Sequence, residues 1–162
     1  MLRVYPGGDI VTFESKIDRD NENRIVNITG KYLRNTFNPT PKYFPADFIS
    51  DDKKIYLEVR CRSHARKEFP DIVLSTAKYV ELLKLKFNKD NPRVYFIVAW
   101  TDCIGLIEID FGERFIIPFK RTLSQKAGNT KFDVVVSIPI SEFKTISYCM
   151  PLEKSGNWVK QG

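Results

Sequence analysis

Residues 43–62 read YFPADFISDDKKIYLEVRCR, and their pattern decides the fold. In the second half Ile55, Leu57, Val59 and Cys61 alternate with Tyr56, Glu58, Arg60 and Arg62. A period of two marks a strand with one apolar face. Residues 43–50 read as a shorter strand, and Asp51-Asp52-Lys53-Lys54 as the polar turn between the two. The pair predicts a β-hairpin. A four-residue turn sets Ser50 opposite Ile55 and Asp47 opposite Glu58, with the carboxylates on one face and their Cβ atoms roughly 4.5–5.5 Å apart. A two-residue turn also keeps both on one face, whereas an odd-length turn separates them. Like charges so placed repel. A divalent cation that prefers oxygen ligands offsets that repulsion. The plainer alternative is a surface ion pair between Asp47 and Arg60 or Arg62.

Upstream, residues 18–35 predict a helix capped by Asp18, with Ile25, Ile28, Tyr32 and Leu33 as its apolar stripe. Gly30 weakens that helix on propensity. Downstream, residues 63–70 form a polar loop, and Asp71 caps a helix predicted over 72–87. Val73, Ala77, Val80 and Phe87 form its apolar ridge, with Leu83 beside it. The unbroken run VYFIVAW, residues 94–100, predicts a strand covered on both faces. Further strands are predicted at 104–109, 114–119 and 132–138, with a basic, mobile loop at 121–131 and a short helical turn capped by Ser141. Pro6-Gly7-Gly8 is a turn signal. Helix, hairpin, helix and buried strand in that order predict an α/β domain whose mixed sheet is flanked by helices.

A chain of 162 residues fits one domain with its own core and needs no disulfide staple. Cys61, Cys103 and Cys149 are widely spaced and form no CxxC pair, so they read as free thiols rather than a zinc site or a disulfide framework. His64 is the sole histidine, which leaves no His-based metal site. No run of about 18 apolar residues predicts a membrane helix. The start, MLRVYPGGD, lacks a signal core, so a soluble, cytoplasmic protein is expected. A net charge of +6 favours a polyanionic partner. There is no P-loop, dinucleotide fingerprint or RNA-binding motif.

Pro45-Ala46-Asp47, an eleven-residue step, and Glu58-Val59-Arg60 before the second helix resemble the PD-(D/E)XK nuclease superfamily. The resemblance implies a restriction-endonuclease-like core over residues 18–109, with extra C-terminal strands over 110–162, all within a single domain. It implies that Asp47, Glu58 and the Val59 carbonyl hold Mg²⁺, for which Mn²⁺ substitutes, and that DNA is the substrate. It also implies a carboxylate from the first helix, Glu22 or, for an earlier start, Glu14. Nucleases of this type that cut both strands are often dimers. The chain departs from the pattern at position 60, where Arg replaces the motif lysine. Arginine stays protonated and cannot act as a base, but it can steady a phosphate. Lys78 is the expected substitute for that lysine. If neither residue serves, the domain is an inactive, nucleic-acid-binding descendant or a protein-interaction module. Arg62, Arg66, Lys67 and Lys42, with Lys84 and Lys86, are the expected phosphate contacts. Tyr56 shares the face of Glu58 and is a candidate nucleotide contact.

Overall fold

A computed structural model describes residues 3–4, 10–12, 16–110, 115–122 and 130–148, with side chains described over 19–110 and 134–148. In chain order the elements are β1 (Arg3–Val4), β2 (Ile10–Thr12), α1 (Lys16–Leu33), β3 (Phe37–Pro39), β4 (Phe48–Ser50), β5 (Ile55–Cys61), β6 (Asp71–Ser75), α2 (Thr76–Lys86), β7 (Arg93–Ala99), β8 (Ile104–Glu108), β9 (Phe115–Thr122), β10 (Thr130–Pro139) and β11 (Lys144–Ser147). The main sheet has six strands in the order β11-β8-β7-β5-β4-β3. Its β5–β7 pair is parallel and its other pairs are antiparallel. A parallel pair needs a crossover, and β6 with α2 supplies it. A second sheet runs β6-β10-β9, and β1 pairs with β2. This mixed α/β arrangement is consistent with a restriction-endonuclease-like fold.

The main sheet separates two cores. On one face Leu57, Val59, Tyr95, Ile97 and Ala99 pack with Ile25 and Val26 of α1. On the other, Val94, Phe96, Val98 and Trp100 pack with Tyr79 and Leu82 of α2 and with Ile72, Leu74, Val136 and Ile138 of the small sheet. Every residue of β7 except Arg93 is buried, as a strand covered on both faces requires.

The hairpin register is the one a four-residue turn dictates. Phe48 lies opposite Leu57 and Ile49 opposite Tyr56. Ser50 anchors the turn by accepting the Ile55 N–H at 3.0 Å on its hydroxyl, and Lys53 takes a positive φ of 61°. The first strand is shorter than expected, however, and covers Phe48–Ser50 rather than 43–50. Pro41 and Pro45 have no N–H to give to a ladder. Phe44 N–H bonds back to Pro41 O at 3.1 Å, and Tyr43 sits at φ 71°.

The predicted helix over 72–87 splits in two. Asp71–Ser75 is strand, paired antiparallel with β10, and Asp71 accepts from the Ser137 hydroxyl instead of capping a helix. Ser75 is the true cap, its hydroxyl accepting the Lys78 N–H at 3.1 Å. The buried face of α2 is Tyr79 and Leu82, while Val73, Val80 and Phe87 of the expected ridge are exposed. The first helix starts at Lys16, so Asp18 lies inside it, and Tyr32 of its expected stripe is 40 % exposed. The turn at Ile140–Glu142 has no side-chain cap from Ser141. The strands after residue 110 are integral, since β11 closes one edge of the main sheet and β10 fills a core. Cys103 is buried and Cys61 half-buried, and neither forms a disulfide. Glu14, Cys149, the Pro6-Gly7-Gly8 turn and most of the 121–131 loop lie outside the described residues. Among the described residues, no helix is long and apolar enough to cross a membrane.

Gly30 fits a packed site. A Cβ there would lie 2.6 Å from the backbone carbonyl oxygen of Asn35, where the chain folds back to donate Asn35 N–H to Gly30 O at 2.9 Å. Helix propensity alone predicts that Gly30→Ala stabilises by about 1 kcal/mol. The close approach predicts the opposite sign, a loss of roughly 1–3 kcal/mol. Urea unfolding of the two proteins decides between them.

Candidate active site

Strand β5 pairs with β7 along its whole length but with β4 at Tyr56 and Leu57. Beyond Leu57 the edge that faces β4 is served by a bend instead of a strand. There Asp47 N–H donates to Leu57 O at 2.9 Å, and Asp47 O accepts from Thr40 N–H at 2.9 Å. The next donor on that edge, Val59 N–H, is taken by the Asp47 carboxylate, with Oδ2 at 2.9 Å. N–H and C=O of one strand residue point the same way, so the Val59 carbonyl faces the same gap. The early end of β4 thus gathers a carboxylate and a backbone oxygen at one place.

Glu58 completes the set. Alternation turns it to the α2 side of the sheet, where it is 1 % exposed. Its Oε2 lies 2.5 Å from Arg60 Nη1 and 3.8 Å from Lys78 Nζ. Arg60 Nη1 also lies 3.0 Å from Val59 O and 3.9 Å from Asp47 Oδ2. One cationic nitrogen therefore stands where Asp47, Glu58 and the Val59 carbonyl converge. The contact to Glu58 is a close ion pair, and no other donor among the described residues bonds to either Glu58 oxygen. Burial pushes the Glu58 carboxyl up to about 7; Asp47 adds to the rise, while Arg60 and Lys78 oppose it.

The resemblance implies a metal, and this oxygen set can be tested against one. Among the described residues no three His, Cys, Asp or Glu side chains gather closely enough to hold an ion by themselves. Two carboxylates and a carbonyl do meet on a positive charge, and Mg²⁺ takes one or two carboxylates with water completing its shell. The donors fit a hard divalent cation, provided the guanidinium gives way.

The surrounding cleft measures about 930 Å³ and is lined by Glu22, Asp47, Glu58, Arg60, Lys78 and Lys42, among others. Glu22 reaches it from α1, and burial together with the Asp47 and Glu58 carboxylates raises its pKa. Lys78 also donates to Pro45 O at 2.9 Å, which ties α2 to the bend. Arg62 lines an adjoining hollow of about 470 Å³ with Arg60, Ser75 and Lys78. Lys67 is exposed and Lys84 lies on the exposed side of α2.

Other expected contacts are engaged within the fold. Arg66 donates to Ile140 O at 2.8 Å, to Phe143 O at 2.7 Å and to the Thr145 hydroxyl, and stacks over Trp100 at 5.5 Å. Lys86 pairs with Glu108 at 3.3 Å. Tyr56 stacks on Phe44 with ring centres 5.4 Å apart, and His64 meets Phe69 edge-on at 4.7 Å. Sequence reasoning missed Arg19, Asn23 and Tyr43 in the cleft lining. For the first two a signal existed: helical spacing sets Arg19 and Asn23 beside Glu22 or one turn from it. Tyr43, 92 % exposed with Lys42 Nζ 5.3 Å from its ring, gave none.

The raised Glu58 pKa has a definite stability sign. Between the ordinary value of 4.5 and about 7, the folded chain holds a proton that the unfolded chain has released. Stability from this group is therefore full below 4.5 and is lost as pH rises through 7. Glu22 acts in the same direction, while Asp52 and Glu108, whose pKa values are lowered, act below this window. From pH 5 to 8 the wild type should lose on the order of 2 kcal/mol relative to Glu58→Gln, measured by urea unfolding without metal. Parallel pH profiles for the two proteins would contradict the buried, proton-holding carboxyl.

The family model described as "Phage putative PDDEXK endonuclease" matches residues 10–146. No curated protein matches the chain. The matched stretch contains both helices, the bend at Asp47, all of β5 and nearly all of β11. The chain belongs to this phage PDDEXK endonuclease family and, through it, to the PD-(D/E)XK nuclease superfamily.

Proposed function

We propose that the chain is a metal-dependent endonuclease that hydrolyses DNA phosphodiester bonds. The observation that carries this reading is the convergence of Asp47 Oδ2, Glu58 Oε2 and Val59 O on one cationic point at the mouth of a cleft. Mg²⁺ held by these oxygens, with Mn²⁺ as a substitute, would supply Lewis-acid stabilisation of the scissile phosphate and a more acidic water. Asp47 is oriented for this task by the Val59 N–H, which fixes one of its oxygens. Glu58 is held rigidly by burial. Lys78 stands 3.8 Å from Glu58 and fills the role of the missing motif lysine, positioning the attacking water or taking its proton. Arg60, always protonated, binds phosphate charge. Glu22 adds a carboxylate to the far wall of the cleft. Lys42, Arg62 and Lys67 contact backbone phosphates on either side. The net charge of +6 supports a polyanionic substrate and a salt-sensitive complex.

A second reading has one specific observation in its favour. Arg60 already supplies positive charge to the oxygen set, as a domain that binds nucleic acid without metal would require. That domain would shift DNA in a gel with strong salt dependence, would need no divalent ion and would not cut.

Plasmid nicking in Mg²⁺ or Mn²⁺ separates the two. The wild type should cut, and Asp47→Ala and Glu58→Ala should each lose about 100-fold or more, the scale of losing a charge-stabilising group. Lys78→Ala should fall by a similar factor with its metal requirement unchanged. Equal product from wild type and both carboxylate variants would remove the nuclease reading.

A further inference from the structure

Arg60 lines two hollows that differ in charge. The larger holds the carboxylates Glu22, Asp47 and Glu58 together with the cations Arg19, Lys42, Arg60 and Lys78. The smaller is lined by Arg60, Arg62, Val73, Leu74, Ser75, Lys78 and Val135, and its charged members are all basic. Arg60 and Lys78 line both. The Arg60 side chain is also one-third exposed and is not locked in by burial.

A divalent ion and this guanidinium cannot share the oxygen set. Mg²⁺ sits about 2.0–2.1 Å from each ligand, and Ca²⁺ at about 2.3–2.6 Å. Arg60 Nη1 is already 2.5 Å from Glu58 Oε2 and 3.0 Å from Val59 O. Two positive charges would then stand within one coordination shell. Whatever draws the guanidinium away frees the oxygens, and a phosphodiester in the basic hollow is the ligand whose charge and fork-like acceptor geometry suit it.

From this we infer that Arg60 is an exchangeable internal cation. It neutralises the carboxylate pocket in the free protein and moves to a phosphodiester in the adjoining basic hollow, so that divalent metal and nucleic acid bind cooperatively. The inference rests on the metal-pocket reading proposed above and adds an order to it: the pocket opens to metal when phosphate arrives. By linkage, the factor by which DNA tightens metal equals the factor by which metal tightens DNA.

Calorimetric titration of Ca²⁺ tests this on the full chain, without turnover as a readout. Wild type, Arg60→Ala, Arg60→Gln and Asp47→Ala are compared, each alone and with a short duplex oligonucleotide. Both Arg60 variants should bind Ca²⁺ at least tenfold more tightly than wild type in the absence of DNA. Added duplex should tighten Ca²⁺ binding in wild type and leave it unchanged in the Arg60 variants. A purely structural role for Arg60 predicts the reverse, because a damaged pocket binds less. Should Arg60→Ala lose its fold through the uncompensated Glu58, Arg60→Gln carries the comparison, and rescue of its thermal midpoint by Ca²⁺ reports the same gain. Wild-type-like or weaker Ca²⁺ binding by both Arg60 variants, with binding still lost in Asp47→Ala, overturns the exchange alone. Equal Ca²⁺ binding by wild type and Asp47→Ala overturns the metal pocket itself.

Discussion

The site depends on a mismatch in strand length. Strand β5 runs from Ile55 to Cys61, whereas β4 begins only at Phe48 and pairs with it at Tyr56 and Leu57. A buried backbone edge must still be satisfied, and here the Asp47 side chain does part of the work of a strand. It takes the Val59 N–H and leaves the Val59 carbonyl outside the ladder, where Arg60 Nη1 donates to it at 3.0 Å. Had β4 begun two residues earlier, the ladder would have consumed both groups. The cleft thus follows from the point before which two prolines keep the strand from starting.

Glu58 shows the other half of the constraint. A carboxylate at 1 % exposure is costly to keep charged. Two neighbouring cations reduce that cost and protonation reduces it further. Residues that break the ordinary rules of a core tend to sit at functional sites. Burial and Asp47 raise the Glu58 pKa to about 7 against the opposing pull of Arg60 and Lys78.

Much of the frame was legible from local pattern. The alternation from Ile55 to Arg62 and the apolar run at 94–100 are strands because only those periods bury their side chains, and the four-residue turn fixed the register. Legibility failed where the partner is distant. Asp71–Ser75 starts at an Asp suited to capping and lies in a run that suits a helix, yet its pairing with β10, some sixty residues on, makes it a strand. The same distance hid the buried face of α2, because the core it meets is built partly from Val136 and Ile138. Sharing of one face by Asp47 and Glu58 was readable, but the bend that aims Asp47 was not. The contact of Arg60 with all three oxygens depends on a rotamer, which no spacing reveals. Arg66 looked like its basic neighbours, and only the tertiary fold distinguishes it.

Arg66 also bears on how this architecture can be reused. Its guanidinium joins the segment after β5 to two carbonyls and a hydroxyl between Ile140 and Thr145, on top of Trp100. The final strand of the main sheet is therefore bolted to the stretch that leaves β5. The helix–hairpin–helix portion that carries the motif is not a portable cassette. Grafting it into another scaffold would leave the Arg66 guanidinium without its three acceptors and without the indole beneath it, and any transplant has to carry Trp100 and the closing strands along with the motif.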